Sequence, residues 1–434
     1  MRLLFTSLLV ISLFTTKAQQ VDKHITEENV GRLISTLAAD DMMGRPAMRP
    51  EYMEKATAFI ESEFEKIGLK PLAGQKTYRQ AFQKQLIVPG IPQITINGQT
   101  LSNDKVLLAT ENINVNTDSG FGMLRIDYDS TIANKRQTLI SKAFMLSRDT
   151  SAAFVIVHPA YLEVFPELKG YFGKRLISGR KGTKVFVVTD QPINTYSVQA
   201  TQSIESITMT NVVGMIEGKK KKDEYVVFSG HYDHIGIRPA VDGDSIANGA
   251  DDDASGTTAV IALANYYKKI KDNNRTLIFV AFTAEEIGGY GSRYFSEQIN
   301  PDQVVAMFNI EMIGKPSKWG RDHAFITGYE RSDFGEILQR NLEGTPFKFM
   351  PDPYPKQNLF YRSDNATLAR LGVPAHTIST DEIDIDKFYH TVNDEVETLD
   401  VKNITVTIRA IALSARSMVS GTDAPKRIDK ASVR

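Results

Sequence analysis

The most apolar run of the chain is Thr276–Thr283, and the first charged residues after it are Glu285 and Glu286. An unbroken apolar run of this length predicts a strand covered by helices on both faces of its sheet. Similar runs recur at Glu224–Phe228, Val304–Ile310, Ala324–Thr327 and Val373–Ile378, with Thr210–Gly214 just before the first of them. Between them the apolar period lengthens to that of a helix. Val260, Leu263, Tyr267 and Ile270 mark one face of a helix from about Ser255 to Lys271. Ile404, Ile408, Ile411 and Met418 do the same over 404–418, and Asp333–Asn341 reads as a further helix. This alternation predicts a doubly wound α/β domain, with a mixed, mostly parallel sheet and helices on both faces.

Two amphipathic helices precede it. Thr26 is placed as an N-cap before Glu27 and Glu28, followed by Val30, Leu33, Ile34 and Leu37 at helical spacing. A second helix from about Pro50 carries Met53, Ile60, Phe64 and Ile67 on one face, and Gly68 stands where a left-handed C-terminal residue is expected. From 83 to 203 the pattern changes to short strands, among them Ala153–Val157 and Lys184–Val188, with an Asn97-Gly98 hairpin signal. The expected organisation is therefore 1–18 signal peptide, 19–82 helices packed on the main domain, 83–203 inserted β-rich domain, 204–421 main domain and 422–434 tail.

Composition narrows the setting. Lys and Arg total 51 against 52 Asp and Glu, so nothing selects nucleic acid or an anionic membrane as partner. The run Lys219–Lys222 reads as a solvated turn. Met1–Phe14 combines a basic start with a short apolar segment, and Thr16-Lys17-Ala18 supplies the small residues of a cleavage site. The expectation is an exported protein, periplasmic or secreted, with no membrane association once the signal is removed. The absence of cysteine excludes disulfides, thiolate metal sites and a cysteine nucleophile.

The chemistry gathers at strand ends. His231 and Asp233 follow the strand 224–228; Asp251, Asp252 and Asp253 crowd a small-residue loop; Glu285 and Glu286 end the most apolar strand; Glu311 ends another; and His390 follows Tyr389 late in the chain. A His with an Asp two residues on suits a metal ligand and the carboxylate that orients it. Three adjacent carboxylates repel one another, a cost that a cation relieves. Two imidazoles and several carboxylates without sulfur suit Zn²⁺, with Mn²⁺ or Co²⁺ as substitutes. They exceed one tetrahedral shell and match two ions sharing a carboxylate, with one glutamate left over as a base.

The ordered set Gly230-His231-x-Asp233-His234, Gly249-Ala250-Asp251-Asp252-Asp253-Ala254-Ser255-Gly256, Ala284-Glu285-Glu286-x-Gly288, Asn309-x-Glu311-Met312-Ile313-Gly314 and Tyr389-His390-Thr391-x-x-Asp394 resembles the co-catalytic di-zinc exopeptidases. These include secreted bacterial leucyl-type aminopeptidases, with glutamate carboxypeptidase and glutaminyl cyclase as relatives. The resemblance covers about Thr210 to Gly421, with fainter echoes at Met43-Gly44-Arg45 and Tyr78–Phe82. It implies that His231 binds the first metal with Asp233 behind it, that Asp252 bridges both metals, and that Glu286 and His390 bind the second. It further implies Glu285 as general acid/base and Glu311 as the remaining ligand of the first metal, where the family usually has aspartate. Tyr389 matches a tyrosine that bonds the tetrahedral intermediate in some relatives, and Arg362 is placed against substrate. Asn365 stands where relatives often have a histidine or aromatic residue. His234 is read as structural, beside the ligand but pointing elsewhere; His24, His158, His323 and His376 are read as surface, loop or core residues.

The function implied is removal of N-terminal residues from peptide substrates. The rivals are a carboxypeptidase or dipeptidase on the same metal core, a glutaminyl cyclase with a single metal, and a non-catalytic peptide-binding protein on a peptidase scaffold. For the insert, relatives suggest a protease-associated domain or a lid. Side-chain preference and oligomeric state have no signature in the sequence.

Overall fold

The computed structural model describes residues 20–131, 133–179 and 182–433. The segment read as a signal peptide lies outside these residues, and no helix among them is long and apolar enough to cross a membrane. The chain forms two compact units, one from the chain up to Phe82 together with Met209 onward, the other Gln83–Thr208.

In the first unit the strand Lys221–His231 pairs in parallel with Arg275–Phe282 on one side and Val304–Ile310 on the other. Ala375–Ser379 continues the parallel set beyond Val304–Ile310. His323–Ile326 joins it antiparallel, and the strand ending at Ile216 closes antiparallel on Arg275–Phe282. The sheet is thus mixed and mostly parallel, as expected. Arg275–Phe282 is buried at every residue, which is why its sequence is apolar from Leu277 to Phe282.

Alternation along each strand divides the side chains between two cores. Val226, Phe228, Leu277, Phe279 and Phe308 face one layer of helices, which contributes Val30, Leu33, Ile60, Phe64, Val260, Leu263, Ile404 and Ile411. Val227, Ile278, Val280, Phe282 and Met307 face the other, packing with Phe295, Leu368 and Ile428. The helices Glu27–Leu37 and Pro50–Ile67 therefore share the main core. Thr26 Oγ1 accepts from the Asn29 N–H, and Gly68 ends the second helix at φ 79°. The helix expected over 404–418 runs Val401–Ser414 and breaks before a short turn at Arg416–Val419. At the break, Ser414 Oγ turns back onto the Ile411 carbonyl.

The second unit holds two four-stranded sheets, one centred on Thr183–Val188 and Ala152–Val157, the other on Gln93–Ile96 and Tyr196–Thr201. The Asn97-Gly98 turn has both residues at positive φ, 47° and 82°, as a two-residue hairpin requires. It also contains helices at Lys135–Arg148 and Phe165–Phe172, which the strand-like pattern did not predict.

Candidate metal centre

His231, Glu285, Glu286 and Glu311 sit at or just past the ends of central strands, Asp252 in the turn Ala250–Ser255 and His390 in a loop. His231 is the last residue of its strand, and Gly230 before it leaves room for the Asp253 carboxylate, since a Cβ there would lie 2.9 Å from Asp253 Oδ2. Glu285 and Glu286 follow Arg275–Phe282 through Ala284, which is held at φ 60°. Glu311 follows Val304–Ile310 and precedes Met312 at φ 50°; His390 itself is at φ 57°. Non-glycine residues in left-handed conformations cost energy that the surrounding fold must supply, and here they flank the donors.

The donors converge. His231 Nε2 lies 3.2 Å from Asp252 Oδ1, and His390 Nε2 lies 3.2 Å from Asp252 Oδ2 and 3.0 Å from Glu286 Oε2. Donor atoms of His231, Asp252 and Glu311 fall within 4.8 Å of one another, as do those of His234, Asp252 and Glu286, so Asp252 belongs to both groups. Glu285 stands in neither, its Oε2 being 4.0 Å from His231 Nε2. Among the described residues, buried His231 Nε2, Glu311 Oε2, Glu286 Oε1 and His234 Nδ1 make no hydrogen bond. Buried polar atoms left without partners are costly. Nitrogen and oxygen atoms that share a zinc ion at about 2.0–2.2 Å come within roughly 4.4 Å of each other, so the donor set fits that metal.

Two expectations change here. His234 does not point elsewhere: its ring is buried and its Nδ1 is 2.7 Å from Glu286 Oε1. The reason is Gly249, on the following loop, where a Cβ would lie 2.4 Å from the His234 ring. Asp233 meets His231 Nδ1 through its own carbonyl at 3.0 Å, while its carboxylate is 3.8 Å away. Those carboxylate oxygens accept from the backbone N–H groups of Glu285 and Glu286, at 3.0 and 3.3 Å. Asp233 thereby orients the glutamate pair as well as the histidine.

Three further residues hold the donors in place. Asp253 accepts from the N–H groups of His231, Gly256 and Met312, tying three sheet-edge loops together. Asp394 accepts from the N–H groups of Asp251 and Asp252. Arg45, fully buried, donates from Nε to the Tyr232 carbonyl (2.7 Å), from Nη1 to Leu37 (2.5 Å) and Asn248 (2.6 Å), and from Nη2 to Gly249 (2.9 Å). Burial lowers its pKa to about 10, while the charges of Asp394, Asp233, Asp252 and Asp253 work to hold the proton on. Asp253 and Asp394 lay inside the sequence motifs without an assigned role, and Arg45 was only a faint echo.

Tyr389 stacks on the His390 ring at 3.9 Å between centroids, and its hydroxyl lies 3.4 Å from Arg362 Nη2. Both line a cleft of about 460 Å³ with Glu311, Met312, Phe325 and Leu359. Asn365 is not on this wall: it is buried, its amide donating to the Phe360 carbonyl and its oxygen accepting from Thr377. His376 is a core residue, stacked on Phe334.

Burial dominates the electrostatics. It raises the carboxyls of Asp233 and Glu311 to about 7, and that of Asp394 to about 8, where the Asp251 charge adds to it. Burial would lower His390, but its bonds to Asp252 and Glu286 outweigh that and raise it to about 10. All four folded-state values exceed the unfolded ones, so the stability they confer is complete below the unfolded values and is lost as pH rises through the folded ones. Metal-free protein is expected to melt at a lower temperature at pH 8 than at pH 6, and added zinc, whose binding competes with the protons of Glu311 and His390, to raise the melting temperature more at pH 8. Calorimetry of the metal-free and zinc-loaded protein checks both; a metal-free melting temperature that is unchanged or higher at pH 8 contradicts the assignment.

Comparison with known proteins bears on the family and the fold. Residues 211–415 match the model of peptidase family M28, bearing out the resemblance read from the five motifs. A probable zinc metalloprotease of Leptosphaeria maculans is 33% identical over 145 residues, covering 32% of this chain and 33% of the relative. Aminopeptidase YwaD of Bacillus subtilis is 21% identical over 251 residues, covering 51% of this chain and 48% of the relative. The chain thus spans between a third and a half of the length of these curated relatives. The solved structure of an aminopeptidase from Aneurinibacillus sp. strain AM-1 superposes with a TM-score of 0.56 at 18% identity, covering 96% of this chain and 98% of that one, which shows the shared fold.

Proposed function

We propose that the chain is a zinc-dependent aminopeptidase, building on the match of residues 211–415 to peptidase family M28. The observation that carries the reading is the pair of donor groups sharing Asp252, with Glu285 beside His231 of the first and part of neither. In this reading His231, Asp252 and Glu311 hold one zinc ion, and Asp252, Glu286 and His390 hold the other. Glu311, longer than the usual aspartate, still reaches the first group. When bound, the metal polarises the scissile carbonyl and makes the hydrolytic water acidic enough to ionise near neutral pH.

The protein groups then divide the work. Glu285 takes the proton of the attacking water and delivers it to the departing amine. Asp233 fixes the backbone of Glu285 and Glu286, so the base and its neighbouring ligand move together. Tyr389, locked by its stack on His390, donates its hydroxyl proton towards the oxyanion, and Arg362 bonds the peptide in the cleft.

The amino-terminal direction is supported by the aminopeptidases among the relatives. A panel of aminoacyl-nitroanilides and short peptides, blocked at one end or the other, tests it. Substrates with a free amino terminus are expected to be cleaved, Nα-acetylated ones spared, and activity to vanish on chelation and return with zinc. Cleavage confined to the carboxyl end would select the carboxypeptidase reading instead. No hydrolysis of any peptide by the zinc-loaded protein would select a binding protein on a peptidase scaffold.

A further inference from the structure

We propose that His234 is a fourth ligand of the second metal position, so that this position has two imidazoles, His234 and His390, where the first has one. The inference rests on the two-zinc reading above and concerns a residue that reading does not use.

The geometry around the ring points this way. His234 is buried, and its backbone is pinned on both sides of the ring: its N–H donates to the Arg45 carbonyl at 3.0 Å, and the segment bridges to Pro46. The ring lies against Gly249, the only residue type whose lack of a side chain admits it. From there Nδ1 reaches 2.7 Å from Glu286 Oε1 and 3.8 Å from Asp252 Oδ2. Among the described residues, the buried His234 Nδ1 and Glu286 Oε1 have no hydrogen-bond partner despite this short distance. Two electron-pair donors that come close without pairing with each other are arranged to share a third atom. The His390 ring, which belongs to the same group through Glu286 and Asp252, has its centroid 5.8 Å from that of His234, with the planes at 67°. Side-by-side imidazoles in this relation can both aim a nitrogen at one ion.

This assignment separates the roles of the two positions. Asp252, Glu286, His234 and His390 would supply four donors, the number found in sites that hold zinc for structure. His231, Asp252 and Glu311 would supply three, the number of protein ligands found in catalytic sites. Glu285 lies on the His231 side, next to the set of three.

Zinc X-ray absorption of the fully loaded wild-type protein, with metal content measured on the same sample, tests the proposal. Multiple scattering from imidazole rings is expected to count three histidines over two zinc ions. His234→Gln, which keeps a polar side chain of similar reach, is expected to count two, with the more weakly held ion lost first in a competition against a chelator. Two zinc ions with only two imidazoles in the wild type would overturn the His234 ligand alone and leave the two-metal reading standing. Uptake of fewer than two zinc ions would overturn that reading, and this ligand with it. The wild-type count is decisive by itself, so it stands even where the variant folds poorly.

Discussion

Glu285→Gln is expected to lose about 10²–10⁴-fold or more in kcat for peptide hydrolysis while keeping its zinc. The amide has nearly the size of the carboxylate, so the loop after Arg275–Phe282 and the Asp233 bonds to the Glu285 and Glu286 N–H groups have no reason to move. What the amide cannot do is accept a proton. Burial pushes the Glu285 carboxyl well above the ordinary glutamate range, and although His231 opposes this, the charges of Glu311, Asp364 and Glu286 reinforce it. A carboxyl raised in this way is a stronger base towards water than an ordinary glutamate. Elemental analysis beside steady-state kinetics separates the role from that of Glu286: substitution of a ligand lowers metal content, substitution of the base does not. Wild-type turnover by Glu285→Gln would remove the assignment.

Arg45→Met is expected to cost at least about 3 kcal/mol of folding stability. Of the four buried carbonyls this guanidinium reaches, that of Gly249 also accepts from the Ala254 N–H, which leaves those of Leu37, Tyr232 and Asn248 to lose their Arg45 bond; leaving a buried polar group unpaired costs roughly 1–3 kcal/mol each. Its positive charge also faces Asp394, Asp233, Asp252 and Asp253, so the loss leaves a cluster of carboxylates without its nearest buried cation. Arg45→Lys is expected to recover little, since an ammonium lacks the planar fork that reaches four carbonyls at once. Denaturant unfolding of the metal-free proteins measures both, and an Arg45→Met variant within about 1 kcal/mol of wild type would show that water or backbone shifts satisfy these carbonyls instead.

The strands that build the site were readable because burial on both faces leaves an uninterrupted apolar run; Val304–Ile310 has the same bounds in the sequence pattern and in the structure. The helix Lys135–Arg148 escaped notice because it buries only Leu139, Ile140 and Ala143, too few to impose a period on fourteen residues. His231, Glu286 and Glu311 stood out as candidate donors because charged or imidazole side chains at the ends of apolar strands carry a chemical signature, whereas Asp252 was singled out of its triplet only by the family resemblance. His234 could not be judged the same way. Which way a ring points after a strand end depends on space left by Gly249, fifteen positions later. Arg45 was harder still, since its partners are main-chain carbonyls, which every residue has and no sequence distinguishes. The exchange of Asp233's expected carboxylate contact for its carbonyl has the same origin: spacing brings the residue near, and the turn decides which of its oxygens arrives.

Asp252 and Glu286 emerge from the ribosome long before His390, yet His390 contacts both across the finished sheet edge. A nascent chain that has already folded its central strands therefore carries an acidic pocket lacking its last donor. In the proposed reading the carboxyl-terminal part of the chain therefore completes the metal site, and a chain that ends before His390 lacks that donor together with the core helix Val401–Ser414.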